Sequence, residues 1–179
     1  MTTAILGGAF DPPHLGHLAL TEGALRELGV DRVLVLVSEQ PGHKPTVADA
    51  QTRLALARLA FQNLPAADVR LDPHPFTVDL LRAERPQDAV LVIGADQWAA
   101  FDTWREPDEV KRLIPIAVAT RPGQPAPGEG VRIFEIDQRP ISSSDIRVRV
   151  AAGESIDGVV PPLVAREIER RGLYAAGPG

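Results

Sequence analysis

Val33-Leu34-Val35-Leu36-Val37 is an unbroken apolar run, and Ala89-Val90-Leu91-Val92-Ile93 is a second. A strand with one face in water alternates apolar and polar residues. An unbroken run is buried on both faces, which calls for helices on both sides of a parallel sheet. Outward from these two, Ala4-Ile5-Leu6 and Ile116-Ala117-Val118 read as further strands. Val69-Arg70-Leu71 and residues 131–136 are weaker ones. Pro115 makes Ile116 a strand start, or marks a strand toward the sheet edge, because proline cannot donate to a ladder.

Helical patterns fill the intervals. Residues 15–28 carry Leu18, Leu25 and Leu28 at roughly helical spacing and stop at Gly29. Residues 51–64 set Leu54, Ala57, Phe61 and Leu64 on one stripe. Thr77 reads as the N-cap of a short helix through Glu84. Pro161-Pro162 opens a last helix, in which Val164 and Ile168 face inward, Glu167 reaches Arg171 and Gly172 closes the turn. Strand and helix in alternation predict an α/β fold: a doubly wound parallel sheet with helices on both faces and right-handed crossovers. The Pro/Gly-rich residues 121–130 are too few for an interdomain linker and read as a surface loop.

Composition sets limits. The 179 residues, 44% hydrophobic and 24% charged, predict a single domain over residues 1–179 with one core. Lys+Arg is 19 and Asp+Glu is 24, a net charge of −5. That balance argues against a nucleic-acid partner but leaves room for an anionic small substrate met by a few local cations. Cysteine is absent, which excludes disulfides, thiolate nucleophiles and Cys-ligated zinc. The first residues show no basic segment followed by a long apolar one, and no apolar run approaches the roughly 18 residues of a bilayer span. A cytoplasmic protein with no membrane partner is the expectation. The oligomeric state stays open, a homo-oligomer included.

The first strand runs into Gly7-Gly8-Ala9-Phe10-Asp11-Pro12-Pro13-His14-Leu15-Gly16-His17. In a doubly wound sheet this turn lies at the carboxyl ends of the strands, where ligands bind. Gly7 and Gly8 let a phosphate approach the backbone. The helix that follows offers N–H groups and the positive end of its dipole. His14 and His17, three apart, share one face of the first turn, and both can donate to phosphate oxygens. The spacing fits neither GxGxxG nor GxxxxGK[ST]. Two other readings stand beside this one: the histidines with Asp11 as metal ligands, and the histidines as caps and packing of the helix alone.

Three further segments carry chemistry. Ile141-Ser142-Ser143-Ser144-Asp145-Ile146-Arg147 gathers hydroxyls and a guanidinium at one helix start, which is either a second anion site or a plain capped helix with a solvated arginine. His43-Lys44-Pro45 follows the second strand, where a lone lysine is ordinarily solvated. Gly94-Ala95-Asp96-Gln97-Trp98 ends another strand and puts Asp96 at the ligand edge; Phe101-Asp102-Thr103-Trp104 follows. Trp98 and Trp104 are the two tryptophans of the chain, and each is either core or a stacking surface for a heterocycle.

The string from Gly7 to His17 resembles the (H/T)xGH motif of the nucleotidylyltransferase superfamily. More closely, it resembles the G-G-(T/S/A)-F-D-P-x-H-x-G-H segment of bacterial nicotinate-nucleotide adenylyltransferases. The other segments resemble that family in order. Residues 141–147 match its I-S-S-T-x-(I/L)-R, with Ser144 at the Thr position. His43-Lys44 matches its P-P-H-(K/R), with Gly42 at the second Pro. Residues 94–104 match its G-x-D-x-(L/W)…F-x-x-W, with Arg105 where an aromatic is common. Pro75-Phe76-Thr77-Val78-Asp79 matches its (S/P)-(Y/F)-T-x-(D/E), with Leu80 at the Thr that follows, and Arg121-Pro122-Gly123 matches its R-P-G. The tail, through Leu173-Tyr174, follows it too, so the likeness runs from Ile5 to Tyr174.

This resemblance implies a Rossmann-like fold of nucleotidylyltransferase type. The reaction it implies is adenylyl transfer from ATP to nicotinate mononucleotide, giving deamido-NAD and pyrophosphate in NAD biosynthesis. His14, His17, Lys44 and Arg147 would be the catalytic set. Gly7, Gly8, Phe10, Gly16, Arg121, Ile141, Ser143 and Ser144 would join them around ATP. Ala9, Thr77, Asp96, Trp104 and Arg105 would surround the nicotinate nucleotide together with Lys44. Mg²⁺ would ride on the ATP phosphates with no protein metal site. The acceptor's phosphate monoester, with a second pKa of about 6, is already largely dianionic at neutral pH, so no general base is required. Alternatives are a nicotinamide mononucleotide or other phosphate acceptor, a nucleotide-binding module without turnover, and a metal-dependent hydrolase built on His14, His17 and Asp11. His74 reads as structural.

Overall fold

The structure, a computed structural model, describes residues 1–42, 45–122, 128, 130–137 and 141–176. Its strands are β1 (Thr3–Gly8), β2 (Arg32–Ser38), β3 (Ala67–Asp72), β4 (Ala89–Gly94), β5 (Ile116–Thr120) and β6 (Arg132–Glu135). Its helices are α1 (Leu15–Glu27), α2 (Ala50–Phe61), α3 (Thr77–Glu84), α4 (Ala95–Ala99), α5 (Pro107–Leu113), α6 (Ser143–Ala151) and α7 (Pro162–Arg171), with a 3-10 turn at Phe101–Thr103. The strands pair in parallel in the order β3-β2-β1-β4-β5-β6. No helix among the described residues is long and apolar enough to cross a membrane.

The unbroken apolar runs do what their pattern predicts. Val33, Val35 and Val37 of β2, with Val90 and Val92 of β4, pack into one cluster with residues of α1, α2, α6 and α7. Leu36, Leu91 and Ile93 point the other way, into a cluster with residues of α3 and α5. Successive strand residues alternate between faces, so the sheet divides the apolar interior into two layers rather than the one core expected.

Three local expectations change. β5 begins after Pro115, but it lies between β4 and β6 and is no edge; the Pro115 carbonyl accepts from Leu91 N–H, so only the proline's missing donor is lost to the ladder. Within α1 the buried positions are Thr21, Gly23 and Ala24, while Leu18 and Leu25 are only partly buried. A Cβ on Gly23 would lie 2.8 Å from Ile136 Cγ2, so small side chains set how closely α1 approaches the sheet. Phe76, not Thr77, is the N-cap of α3, and Thr77 is its first helical residue. The last helix follows the reading, with Val164 and Ile168 buried, Glu167 2.6 Å from Arg171 and Gly172 closing it at φ 61°.

β1 pairs with β2 along residues 3–8 but with β4 only along residues 3–5. Residues 6–8 therefore part from residues 92–94. The strand order reverses at this pair, and the gap is the crevice such a sheet opens at its carboxyl edge.

Candidate active site

The loop leaving β1 is held in an uncommon path. Phe10 takes φ 52°, and the Asp11–Pro12 peptide is cis. The Phe10 ring is 1% exposed, packed edge-on to Phe61 at 6.2 Å and tilted against His17 at 4.6 Å. Its side chain is core, so any ligand contact from Phe10 is made by its backbone. A Cβ on Gly8 would sit 3.1 Å from that ring, whereas Gly7 faces open space.

His14 is the N-cap of α1 and His17 sits one turn on; their rings stack at 3.8 Å. The His14 backbone N–H donates to His17 Nδ1 at 3.1 Å. Neutral His17 therefore carries its ring proton on Nε2, which makes that edge the donor. His14 is 8% exposed, and burial pushes its imidazole down to about 4. It is thus neutral at pH 7, and its Nδ1 has no hydrogen-bond partner among the described residues. A Cβ on Gly16 would meet that Nδ1 at 2.9 Å, so Gly16 leaves the room in which the ring lies. The helix start offers fewer amides than its sequence suggests, because Leu15 N–H already donates to the Val159 carbonyl at 3.0 Å.

The second motif is tied to the first. Ser142 caps α6, accepting from Asp145 N–H, and projects Ser143 and Arg147 toward the β1 loop. Ser143 Oγ donates to the Pro12 carbonyl at 2.8 Å. Arg147 donates to the Asp11 carbonyl at 2.7 Å and to Ser144 Oγ at 3.2 Å. Ile141 is half-buried against the first apolar layer.

Beneath this loop lies a group the sequence reading passed over. Arg53 of α2 is 1% exposed and donates to the carbonyls of Ala9 (2.7 Å), Ser38 (2.7 Å), Glu39 (3.1 Å) and Ala48 (3.1 Å). One guanidinium thus gathers the ends of β1 and β2 and the start of α2. Burial lowers its pKa, and the nearby Asp11 charge opposes that shift. Its signal was in the sequence: position 53 shares a helical stripe with the buried Leu56, Ala57 and Ala60.

Asp11 is not a free ligand. Its carboxylate, 2% exposed, accepts from Val47 N–H (2.6 Å), Ala48 N–H (3.2 Å) and the Tyr174 hydroxyl (2.7 Å). The His14, His17 and Asp11 metal set loses its carboxylate in this way. Among the described residues no three His, Asp or Glu side chains group to hold an ion.

The aromatic candidates form a second group. Trp98 and Trp104 flank Phe101, each with ring centroids 5.0 Å from it, and both are half-buried. Arg105 lies 4.8 Å over the Phe76 ring and 3.7 Å from Asp79, next to Thr77 at the start of α3. Gly42 also packs on Phe76: a Cβ there would come within 2.6 Å of the ring, which accounts for glycine at this position. Asp96, exposed at the end of β4, lies 3.8 Å from Arg121 at the end of β5. Asp72 accepts from the His74 backbone N–H at 3.0 Å and lies 2.7 Å from its ring, which closes the turn before α3. Lys44 and Gly123 lie outside the described residues.

The chain is similar to known proteins along nearly its whole length. The cytidylyltransferase-like family matches residues 5–149. A Bordetella avium protein named a probable nicotinate-nucleotide adenylyltransferase is 38% identical over 190 residues, covering 95% of this chain and 96% of its own. A Thermus thermophilus protein of the same name is 39% identical over 186 residues, covering 97% and 100%. The solved structure of Plasmodium falciparum nicotinic acid mononucleotide adenylyltransferase complexed with NaAD superposes with a TM-score of 0.83 at 16% identity, covering 97% of each chain. The parallel sheet, the crevice beside β1 and these likenesses together mean that the chain belongs to the cytidylyltransferase-like family and, within it, to the nicotinate-nucleotide adenylyltransferases.

Proposed function

We propose that the protein transfers the adenylyl group of ATP to the phosphate of nicotinate mononucleotide, forming deamido-NAD and pyrophosphate. The observation that carries this reading is the pair of hydrogen bonds from Ser143 to Pro12 and from Arg147 to Asp11. They bring two anion-binding motifs, far apart in sequence, to one edge of the crevice.

A phosphate oxygen of the acceptor attacks the α-phosphorus of ATP, and the bond to the bridging oxygen of the leaving pyrophosphate breaks. The nucleophile is already ionised, so the protein's work is to align two anions and stabilise charge on the transferring group. His17 offers Nε2–H to a phosphate oxygen. His14, neutral before ATP arrives, acts as a hydrogen-bond donor rather than a standing cation. Gly7 keeps the approach to the backbone open, Gly8 and Gly16 leave room for the Phe10 and His14 rings, and Ser144, Arg147 and the Ser143 backbone N–H hold the outer phosphates. The role of Lys44 at both anions rests on the family resemblance alone. Thr77, Asp96 and Trp104 bind the nicotinate nucleotide, with Trp104 stacking on the pyridine ring.

A divalent ion carried by ATP supplies further neutralisation of the phosphates. Mg²⁺ suits this site, because it keeps most of its waters and needs few protein ligands, and Asp11 is engaged elsewhere. The test is pyrophosphate release from Mg-ATP with nicotinate mononucleotide and nicotinamide mononucleotide in parallel. Fast release with the acid form supports the reading. Release with the amide alone moves the acceptor. Phosphate release without acceptor returns the hydrolase.

A further inference from the structure

We infer that Tyr174, in the segment after the last helix, is a positioning residue for adenylyl transfer that acts through Asp11 on the loop carrying His14 and His17. The inference rests on the transfer reading above. Asp11 is where three distant segments meet: its carboxylate holds the β2–α2 loop at Val47 and Ala48 and the Tyr174 hydroxyl, and its carbonyl holds Arg147. All of these bonds converge on the residue between Phe10 and Pro12, three positions before His14.

The backbone on both sides of the Tyr174–Asp11 bond is unusual. Tyr174 takes φ 62°, directly beyond the left-handed turn at Gly172, and Phe10, beside Asp11, takes φ 52°. Residues with a Cβ rarely adopt this conformation, and they persist in it only where the surroundings over-determine it. Filling the apolar layer would not demand it, since neighbouring aliphatic residues do so from ordinary backbone. What the turn achieves is to swing a 9% exposed ring inward so that its hydroxyl donates to a carboxylate 163 residues away. Burial, followed by the bond to Asp11, pushes the phenol's pKa up, so it stays a donor throughout the working pH range. Without that hydroxyl, Asp11 Oδ1 keeps only the 3.2 Å bond from Ala48. The His14 loop would then lose its shortest link to the C-terminal segment, and small displacements of aligned groups are costly to phosphoryl transfer.

Tyr174→Phe removes one oxygen and keeps the ring. Pyrophosphate release, with ATP and nicotinate mononucleotide varied separately, should show kcat/KM for ATP down about tenfold. KM for nicotinate mononucleotide should stay within about twofold, because Trp104 packs on the other layer and Thr77 opens α3, whose Val78 and Leu81 are buried there. A purely structural tyrosine would lower the melting temperature and leave both constants per folded molecule unchanged, and that result overturns the inference. Tyr174 is the chain's one tyrosine, so 3-fluorotyrosine labels it alone in the otherwise native protein. Mg-ATP should move its ¹⁹F resonance, and a resonance unmoved at saturating Mg-ATP overturns the inference even if Tyr174→Phe fails to fold. Wild-type protein that releases no pyrophosphate would instead sink the transfer reading itself, and the inference with it.

Discussion

His14 gives the sharpest prediction about stability. Its ring is 8% exposed, lies 3.8 Å from the His17 ring, and its Nδ1 is buried with no partner among the described residues. Burial takes its pKa from 6.5 down to about 4. The sign follows from proton counting. Between these values the unfolded chain binds a proton at His14 that the folded chain refuses, so acid favours unfolding. The stability is fully present above the unfolded value and is lost as pH falls toward the folded one. With about 1.4 kcal/mol for each unit separating the two pKa values, the loss attributable to His14 is about 2 kcal/mol around pH 5 and about 3 kcal/mol around pH 4. The carboxylates add their own acid dependence, which a comparison removes. His14→Gln cannot titrate, so urea unfolding of both proteins from pH 7.5 to 4.5 isolates the histidine. The wild-type midpoint should fall faster than the variant's through this window, with the difference between them changing by the stated amount. Parallel curves would show that the ring is hydrated or paired when folded, and would refute the reasoning that makes it a neutral donor at the phosphates.

Two other perturbations test neighbouring parts of the site. His17→Asn keeps an acceptor for the His14 N–H while deleting the Nε2–H edge. It should leave the melting temperature near wild type and lower kcat by about a hundredfold to a thousandfold, the scale for one donor to a developing charge. Turnover within about threefold of wild type would move that donor elsewhere. Arg53→Met leaves the carbonyls of Ala9, Ser38, Glu39 and Ala48 without their donor and should cost at least about 3 kcal/mol, or roughly 10 °C by calorimetry. A drop below about 1 kcal/mol would mean that water replaces the guanidinium.

The sequence makes the sheet legible because burial on both faces leaves a compositional trace. β4 and β2 are runs no half-exposed strand would carry, and the helices around them announce themselves by Ser142, Gly29 and Gly172 at their ends. The inner face of α1 was not legible. There a close approach to β6 selects Gly23 and Ala24, and small residues give no hydrophobic signal even where they are the contact. The cap of α3 was misread for a related reason: Thr77 has the chemistry of a cap, but the turn on Phe76, fixed by Gly42 and Arg105 packing on its ring, starts the helix one residue earlier.

The candidate site divides along the same line. The candidate ligand groups stand at strand and helix ends in short strings, so His14, His17, Ser143 and Arg147 can be picked out as candidates from the motifs alone. The groups that hold those strings in place are single residues, each joined to partners far along the chain. Arg53 reads as a solvated helix charge until its stripe is counted, and Asp11 reads as a metal ligand until Val47, Ala48 and Tyr174 are seen to fill its oxygens. A buried ionic group requires satisfied partners, and here the partners are mostly backbone atoms, which carry no mark in a sequence. The identity of Arg53 and Asp11 is therefore dictated by where the chain returns to itself at the crevice. It follows that substitutions at Ser38 or Glu39, which accept through their carbonyls and are not buried, should lower the melting temperature far less than any change at the arginine that gathers them.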